Sequence, residues 1–160
     1  NSITKLGNFM TITADAIASG RDQRAPRNPD ELRDPYGYQS VWHSAERKGY
    51  SGVAVLSKVS PDNVIKGFGV EEFDKEGRVI QAVFDDVYYI GVYFPNGQQG
   101  DERLDYKLRF YDALFSYCDE LKEMGKKVIV CGDYNTAHTP IDLARLRPIV
   151  ETLWSKVGQL

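Results

Sequence analysis

The chain between residues 52 and 94 reverses direction every few residues, and this limits its possible folds more than any other feature. Residues 52–57 (GVAVLS), 68–73 (FGVEEF), 79–84 (VIQAVF) and 87–94 (VYYIGVYF) are short apolar runs of strand length, rich in β-branched and aromatic side chains. Asp74-Lys75-Glu76-Gly77 and Asp85-Asp86 lie between them and suit tight turns. Strands joined in this way pair antiparallel, so a Greek-key or sandwich sheet is expected rather than a doubly wound parallel one. Residues 38–42, after the turn Asp34-Pro35-Tyr36-Gly37, read as a further strand.

Beyond residue 94 the period changes. Pro95 stops the ladder and Asn96-Gly97 turns the chain. A long helix is then expected from about 101 to 124, with Leu104, Leu108, Tyr111, Phe115, Cys118 and Leu121 recurring at three- and four-residue steps as one buried stripe. Asp101 and Glu102 suit its positive end, and Lys122, Lys126 and Lys127 its negative end around the Gly125 stop. Residues 126–138 (KKVIVCGDYNTAH) follow: Val128 to Cys131 read as a buried strand that Gly132 ends. Side chains two apart on an extended chain share a face about 6.6 Å apart, which would set Asp133 beside Asn135 at a strand mouth. A carboxylate there can orient a water or bind a cation, and a carboxamide can donate to an oxyanion, a pair suited to phosphoester hydrolysis. The same residues also suit an ordinary loop held by local turn hydrogen bonds.

Three further groups have the same double character. Tyr93 and Asn96 stand at a second strand mouth, where a hydroxyl and an amide can hold phosphate oxygens; they also suit a core-edge aromatic and a turn former. Arg47, Lys48 and Tyr50 put two cations and an aromatic on a loop before a strand, suited to phosphates and a stacked base or to a solvated turn. Arg103 and Lys107, on the first helical turns, can reach phosphate or remain solvated.

At 160 residues, with 42% hydrophobic and 27% charged residues, the chain reads as one globular domain. A net charge of −3 confines any nucleic-acid contact to a local basic patch. Cys118 and Cys131 both fall in apolar patterns and read as buried free thiols of a reducing, cytoplasmic compartment. No apolar run approaches the roughly 18 residues of a membrane helix. No secretory leader is read, and a chain opening at Asn1 rather than Met is expected to be a trimmed or internal piece. Within residues 1–30, 9–14 reads as a short strand, or 13–19 as a helical turn stopped at Gly20, and 21–31 as loop. Residues 141–147 and 149–157 read as closing helical segments around Pro148.

GYSGVAVLSK (49–58), GVEEFDKEGRV (69–79), VYFPNG (92–97), ERLDYKLRFYDA (102–113) and VIVCGDYNTAH (128–138) with IDLAR (141–145) together resemble exonuclease III-type apurinic/apyrimidinic endonucleases of the endonuclease/exonuclease/phosphatase superfamily. The resemblance implies an α+β fold, a two-layer β-sandwich flanked by helices (endonuclease/exonuclease/phosphatase-like) and here incomplete. It also implies a single domain over 1–160, in which 30–147 match the central part of the nuclease domain while 1–29 and 148–160 diverge. The implied activity is phosphodiester hydrolysis in duplex DNA at abasic sites or 3′ ends, dependent on Mg²⁺ or Mn²⁺. By resemblance Asp133 positions the attacking water, Asn135 stabilises the developing oxyanion, Tyr93 binds the phosphate, Asn96 fixes the target strand and Tyr50 contacts DNA.

Two features depart from the family pattern. The Asn-x-Asn-Gly and Gln-Glu strand ends, the second carrying the main metal-ligand Glu, are not found before residue 30, where Asp15 is the acid at a strand-like terminus. The late Ser-Asp-His motif has no counterpart, and His138 is expected to be structural. Asp133 is then the one metal contributor expected to be retained. The alternative is a catalytically incomplete DNA-binding or structural module, and a homodimer or partner segment is expected to cover the missing half. Hydrolysis of a phosphate other than DNA is a third reading within the superfamily, less favoured by GYSGVAVLSK and ERLDYKLRFYDA.

Overall fold

The computed structural model describes residues 2–6, 9–13, 37–47, 50–97 and 100–136. The expectations for Asp15, Lys48, His138, the 13–19 turn, the 21–31 loop and the segments 141–147 and 149–157 lie outside them.

Among the described residues two four-stranded sheets pack face to face. The first contains β1 (Ser2–Leu6), β2 (Phe9–Thr13), β3 (Gln39–Ser44) and β4 (Gly52–Ser57) in the order β1-β2-β4-β3, antiparallel throughout. The second contains β5 (Asn63–Lys66), β6 (Val79–Phe84), β7 (Val87–Tyr93) and β8 (Lys127–Asp133) in sequence order. Its last pair is parallel, because the chain crosses from β7 to β8 through the long helix α2 (Asp101–Glu123). The sandwich expectation is met, with this one parallel rung added.

Alternation along the strands builds the layers. Val53 and Val55 of β4 meet Ile80 and Ala82 of β6 and Tyr89 of β7 between the sheets. The intervening Ala54 and Leu56 pack with Tyr38 on the outer face. Tyr89 shares a hydrogen bond of 3.0 Å with Thr11 across the sandwich, which satisfies both buried hydroxyls. On the other side of the second sheet, Val79, Ile90, Val92 and Phe94 meet Phe110, Leu114, Cys118 and Leu121 of α2.

Three expectations are corrected. Residues 68–73 are not a strand. Gly67 and Gly69 have φ of +78° and +91°, which ends β5 early. The Asp74 carboxylate then accepts the N–H groups of Phe68 and Gly69, both at 2.9 Å, and winds Glu71–Asp74 into the short helix α1. Second, the buried stripe of α2 is Lys107, Phe110, Leu114, Cys118 and Leu121, while Leu108 and Phe115 are 45% and 43% exposed. Phe110 decides the rotation, because it packs edge-on against Phe68, Phe73 and Phe94. Third, β8 is half-buried along its length, being paired on one side alone among the described residues, and Gly132 lies inside it rather than ending it. A Cβ on Gly132, whose φ is +150°, would collide with the Val92 carbonyl, so glycine is what allows the two strands to approach.

Helix α2 stops as expected. Gly125 takes φ +78°, its N–H donates to Lys122 O, and Lys126 N–H donates to Leu121 O, a paired-bond C-cap.

Candidate functional site

Parallel register brings the two strand mouths together. Tyr93 at the end of β7 is the Cα partner of Asp133 at the end of β8, and Phe94 N–H donates to Asp133 O at 2.9 Å. Asp133 and Asn135 do not share an extended face, which corrects the expectation. Asn135 turns left-handed at φ +49°, and its N–H donates to Asp133 Oδ1 at 2.9 Å. Asparagine is one of the few residues that visit that conformation readily, and here the Asp133 carboxylate holds its backbone there. Its Nδ2 donates to Phe94 O at 2.8 Å, tying the loop after β8 to the loop after β7.

Lys107 reaches the same place from α2. Its Nζ donates to Asn135 O at 2.6 Å. Burial pulls its pKa below the ordinary lysine value, and the charge of Asp133 opposes that shift. Gly97, next to the exposed Asn96, packs on Leu104 and the Lys107 stem. The Phe94 ring is stacked between Tyr111 at 4.3 Å and Tyr134 at 4.6 Å, which holds the floor of the two loops. Tyr93 and Asp133 thus end two adjacent strands, and Asn96 and Asn135 lie on the loops that follow them, which Phe94 and Lys107 tie together.

Tyr50 and Arg103 meet on the side of Tyr93 away from β8, around a carboxylate that the sequence reading left in a turn. Glu76 accepts both Arg103 Nη1 and Nη2 at 3.2 Å, Tyr50 Oη at 3.2 Å, and Arg78 Nε. The turn is fixed where it must be: Gly77, at φ +60°, leaves no room for a Cβ against the Ser44–Ala45 backbone, and Ser51 Oγ donates to Glu76 O. Arg78 is only 4% exposed. Its guanidinium donates to Tyr93 O at 3.1 Å and lies over the Tyr93 and Tyr50 rings at 5.0 and 5.4 Å. Burial pushes the Glu76 carboxyl up, but hydrogen bonds and charge from Arg103 and Arg78 outweigh it and leave the pKa lowered. Arg47 is exposed, with its guanidinium 5.6 Å from the centre of the Tyr50 ring. Arg103 is thus part-buried and bonded through Nη1 and Nη2 to Glu76 and Tyr50 rather than simply solvated.

Residues 15–154 match the Endonuclease/Exonuclease/phosphatase family. The chain belongs to that family. An exodeoxyribonuclease of Bacillus subtilis (strain 168) is 51% identical over 109 residues, covering 68% of this chain and 43% of the relative. The DNA repair nuclease APEX1 of Danio rerio is 46% identical over 100 residues, 62% of this chain and 32% of that protein. An AP endonuclease structure from Archaeoglobus fulgidus superposes with a TM-score of 0.66 at 26% identity, over 92% of this chain and 52% of its own. A variant of the 3′ phosphatase NExo from Neisseria, solved with a product DNA hairpin, gives 0.64 at 25% identity with the same coverage. The chain spans about half the length of these structures and less than half of these two curated relatives.

The expected family and fold are thus met. The divalent cation implied for such nucleases fits the described residues poorly. Among them no three His, Cys, Asp or Glu side chains converge, and the Lys107 ammonium lies within electrostatic reach of Asp133. Sequence reasoning gave Glu76 a place in a turn and neither Glu76 nor Arg78 a role in the site. Both lie in GVEEFDKEGRV, where charged residues beside a glycine are indistinguishable from a solvated turn. Among the described residues no helix is long and apolar enough to cross a membrane.

Proposed function

We propose that this chain carries the phosphate-handling half of a DNA-repair nuclease site and acts on phosphodiesters of duplex DNA at abasic sites or 3′ ends. The observation that carries the reading is the Tyr93–Asp133 rung, which puts both strand mouths side by side at one end of one sheet. It is supported by relatives named as DNA repair nucleases and exodeoxyribonucleases, one of its structural neighbours being bound to DNA. Tyr93 and Asn96 hold phosphate oxygens. Asp133 uses Oδ1 on the Asn135 N–H and orients a water with Oδ2. The Asn135 amide donates one hydrogen to Phe94 O and directs the other at the developing oxyanion. Mg²⁺ or Mn²⁺ belongs to the proposal as a cofactor whose further ligands come from outside the described residues. So does pairing of the β8 edge with a second copy or another segment, and a folded monomer in sedimentation counts against the second copy.

A second reading, DNA binding without turnover, is favoured by the missing convergence of metal ligands among the described residues. Cleavage of an abasic-analogue duplex separates the two. With Mg²⁺ present, Asp133→Ala should lose at least about 100-fold, the lower range for a positioned acid–base group, and EDTA should abolish the reaction. Wild-type cleavage that survives Asp133→Ala refutes the assigned role. Binding without cleavage under every condition selects the second reading.

A further inference from the structure

We propose that Glu76 is a positioning residue for polynucleotide binding, holding Tyr50, Arg78 and Arg103 as one rigid unit beside Tyr93. The inference rests on the DNA reading above and assigns to that site a residue outside its phosphate-facing set.

Hydrogen-bond capacity is the first argument. A tyrosine hydroxyl has one donor and two acceptor positions. That of Tyr50 accepts Arg103 Nη2 at 2.8 Å and Arg78 Nη2 at 3.3 Å and donates to Glu76 at 3.2 Å, so it is saturated. Tyr50 therefore offers DNA its ring and not its hydroxyl, with Arg47 over that ring. Arg78 bridges the two aromatics, its guanidinium over both rings and bonded to the Tyr93 carbonyl. Both guanidiniums bond to one carboxylate, and Arg78 is almost wholly buried. Without Glu76 the buried Arg78 and the part-buried Arg103 face each other with no anion between them. They must separate, and the Tyr50 and Tyr93 rings move with them.

Charge and position then predict opposite signs. Removing a carboxylate beside a phosphate-binding face strengthens DNA binding if charge alone matters. Loss of a positioning group weakens it. The test is anisotropy of a fluorescein-labelled abasic-analogue duplex in EDTA over a salt series, with circular dichroism confirming that each protein is folded. Glu76→Gln should bind roughly tenfold more weakly than wild type at every salt concentration, as displaced contacts do. Equal or tighter binding overturns the proposal. If Glu76→Gln does not fold, Tyr50→Phe serves: it keeps ring and charge, removes the hydroxyl at the centre of the unit, and should lose affinity with an unchanged salt slope. Undiminished affinity overturns the proposal.

Arginine side-chain NMR decides the unit apart from DNA. Arg78 and Arg103 Nη resonances should be split by hindered rotation in wild type and coalesce in Glu76→Gln; freely rotating wild-type guanidiniums refute the unit. No wild-type DNA binding defeats the nuclease reading, and with it the link to recognition, while split resonances would still establish the unit.

Discussion

Gly132→Ala offers a sharp test of how the site is assembled. The backbone φ of +150° is costly for any residue with a Cβ, at about 1–3 kcal/mol. The new methyl would also be driven into the Val92 carbonyl. That obstacle is backbone in a paired strand and cannot rotate aside, so overpacking adds about 1–3 kcal/mol. Together these reach roughly 2–6 kcal/mol, a large share of the usual 5–15 kcal/mol stability of a domain. Gly125→Ala is the matched control: φ is +78°, but nothing lies within 4 Å of its Cβ position, so it bears the conformational term of about 1 kcal/mol alone. Urea unfolding followed by circular dichroism should separate the two by at least about 1 kcal/mol at constant m-value. Equal losses in both variants would mean that β7 and β8 do not approach as closely as the Tyr93–Asp133 pairing requires.

The aromatic and acidic surroundings of the Arg103 site give two more predictions. Tyr106 Oη is buried with no hydrogen-bond partner among the described residues, and burial with the charge of Glu76 raises its pKa. Tyr106→Phe should therefore raise stability, by about 1 kcal/mol, because an unmade buried bond is removed; a loss in urea unfolding would mean that the hydroxyl does bond Glu76. The lowered Glu76 pKa means that the unfolded state protonates first as pH falls, so this group stabilises above its unfolded value of 4.5 and the benefit is lost below it. Thermal unfolding of Glu76→Gln should fall less steeply with acid in that window than wild type, and parallel curves would refute the coupling.

Much of the scaffold is legible because period and punctuation agree. The strands at 52–57, 79–84 and 87–93 stand where alternation and turn residues place them, and α2 begins and ends within a residue or so of its expected limits. Errors arise where tertiary contacts overrule a local pattern. FGVEEF has strand composition, but two left-handed glycines and the Asp74 carboxylate turn it into loop and helix. Leu108 and Phe115 have the right spacing for a core stripe. The ring of Phe110 found better partners, and the helix turned with it. The first outcome turns on glycine and aspartate immediately around the segment, whose conformation composition does not reveal. The second turns on aromatic side chains far along the chain.

The site divides along the same line. Tyr93, Asn96, Asp133 and Asn135 could be located from the sequence because strand ends are marked by proline, glycine and polar residues. How they meet could not, since a parallel rung needs a crossover, and its register is set by α2 and by one glycine at 132. The same reasoning explains why Glu76 was passed over while Tyr50 and Arg103 were not. A cation or an aromatic on a loop suggests a ligand, whereas an anion beside a DNA-facing surface looks like an error of charge. Its value becomes visible only once two arginines and a tyrosine hydroxyl are seen to converge on it. On a face proposed to bind a polyanion, an acidic residue is best read through what it holds still.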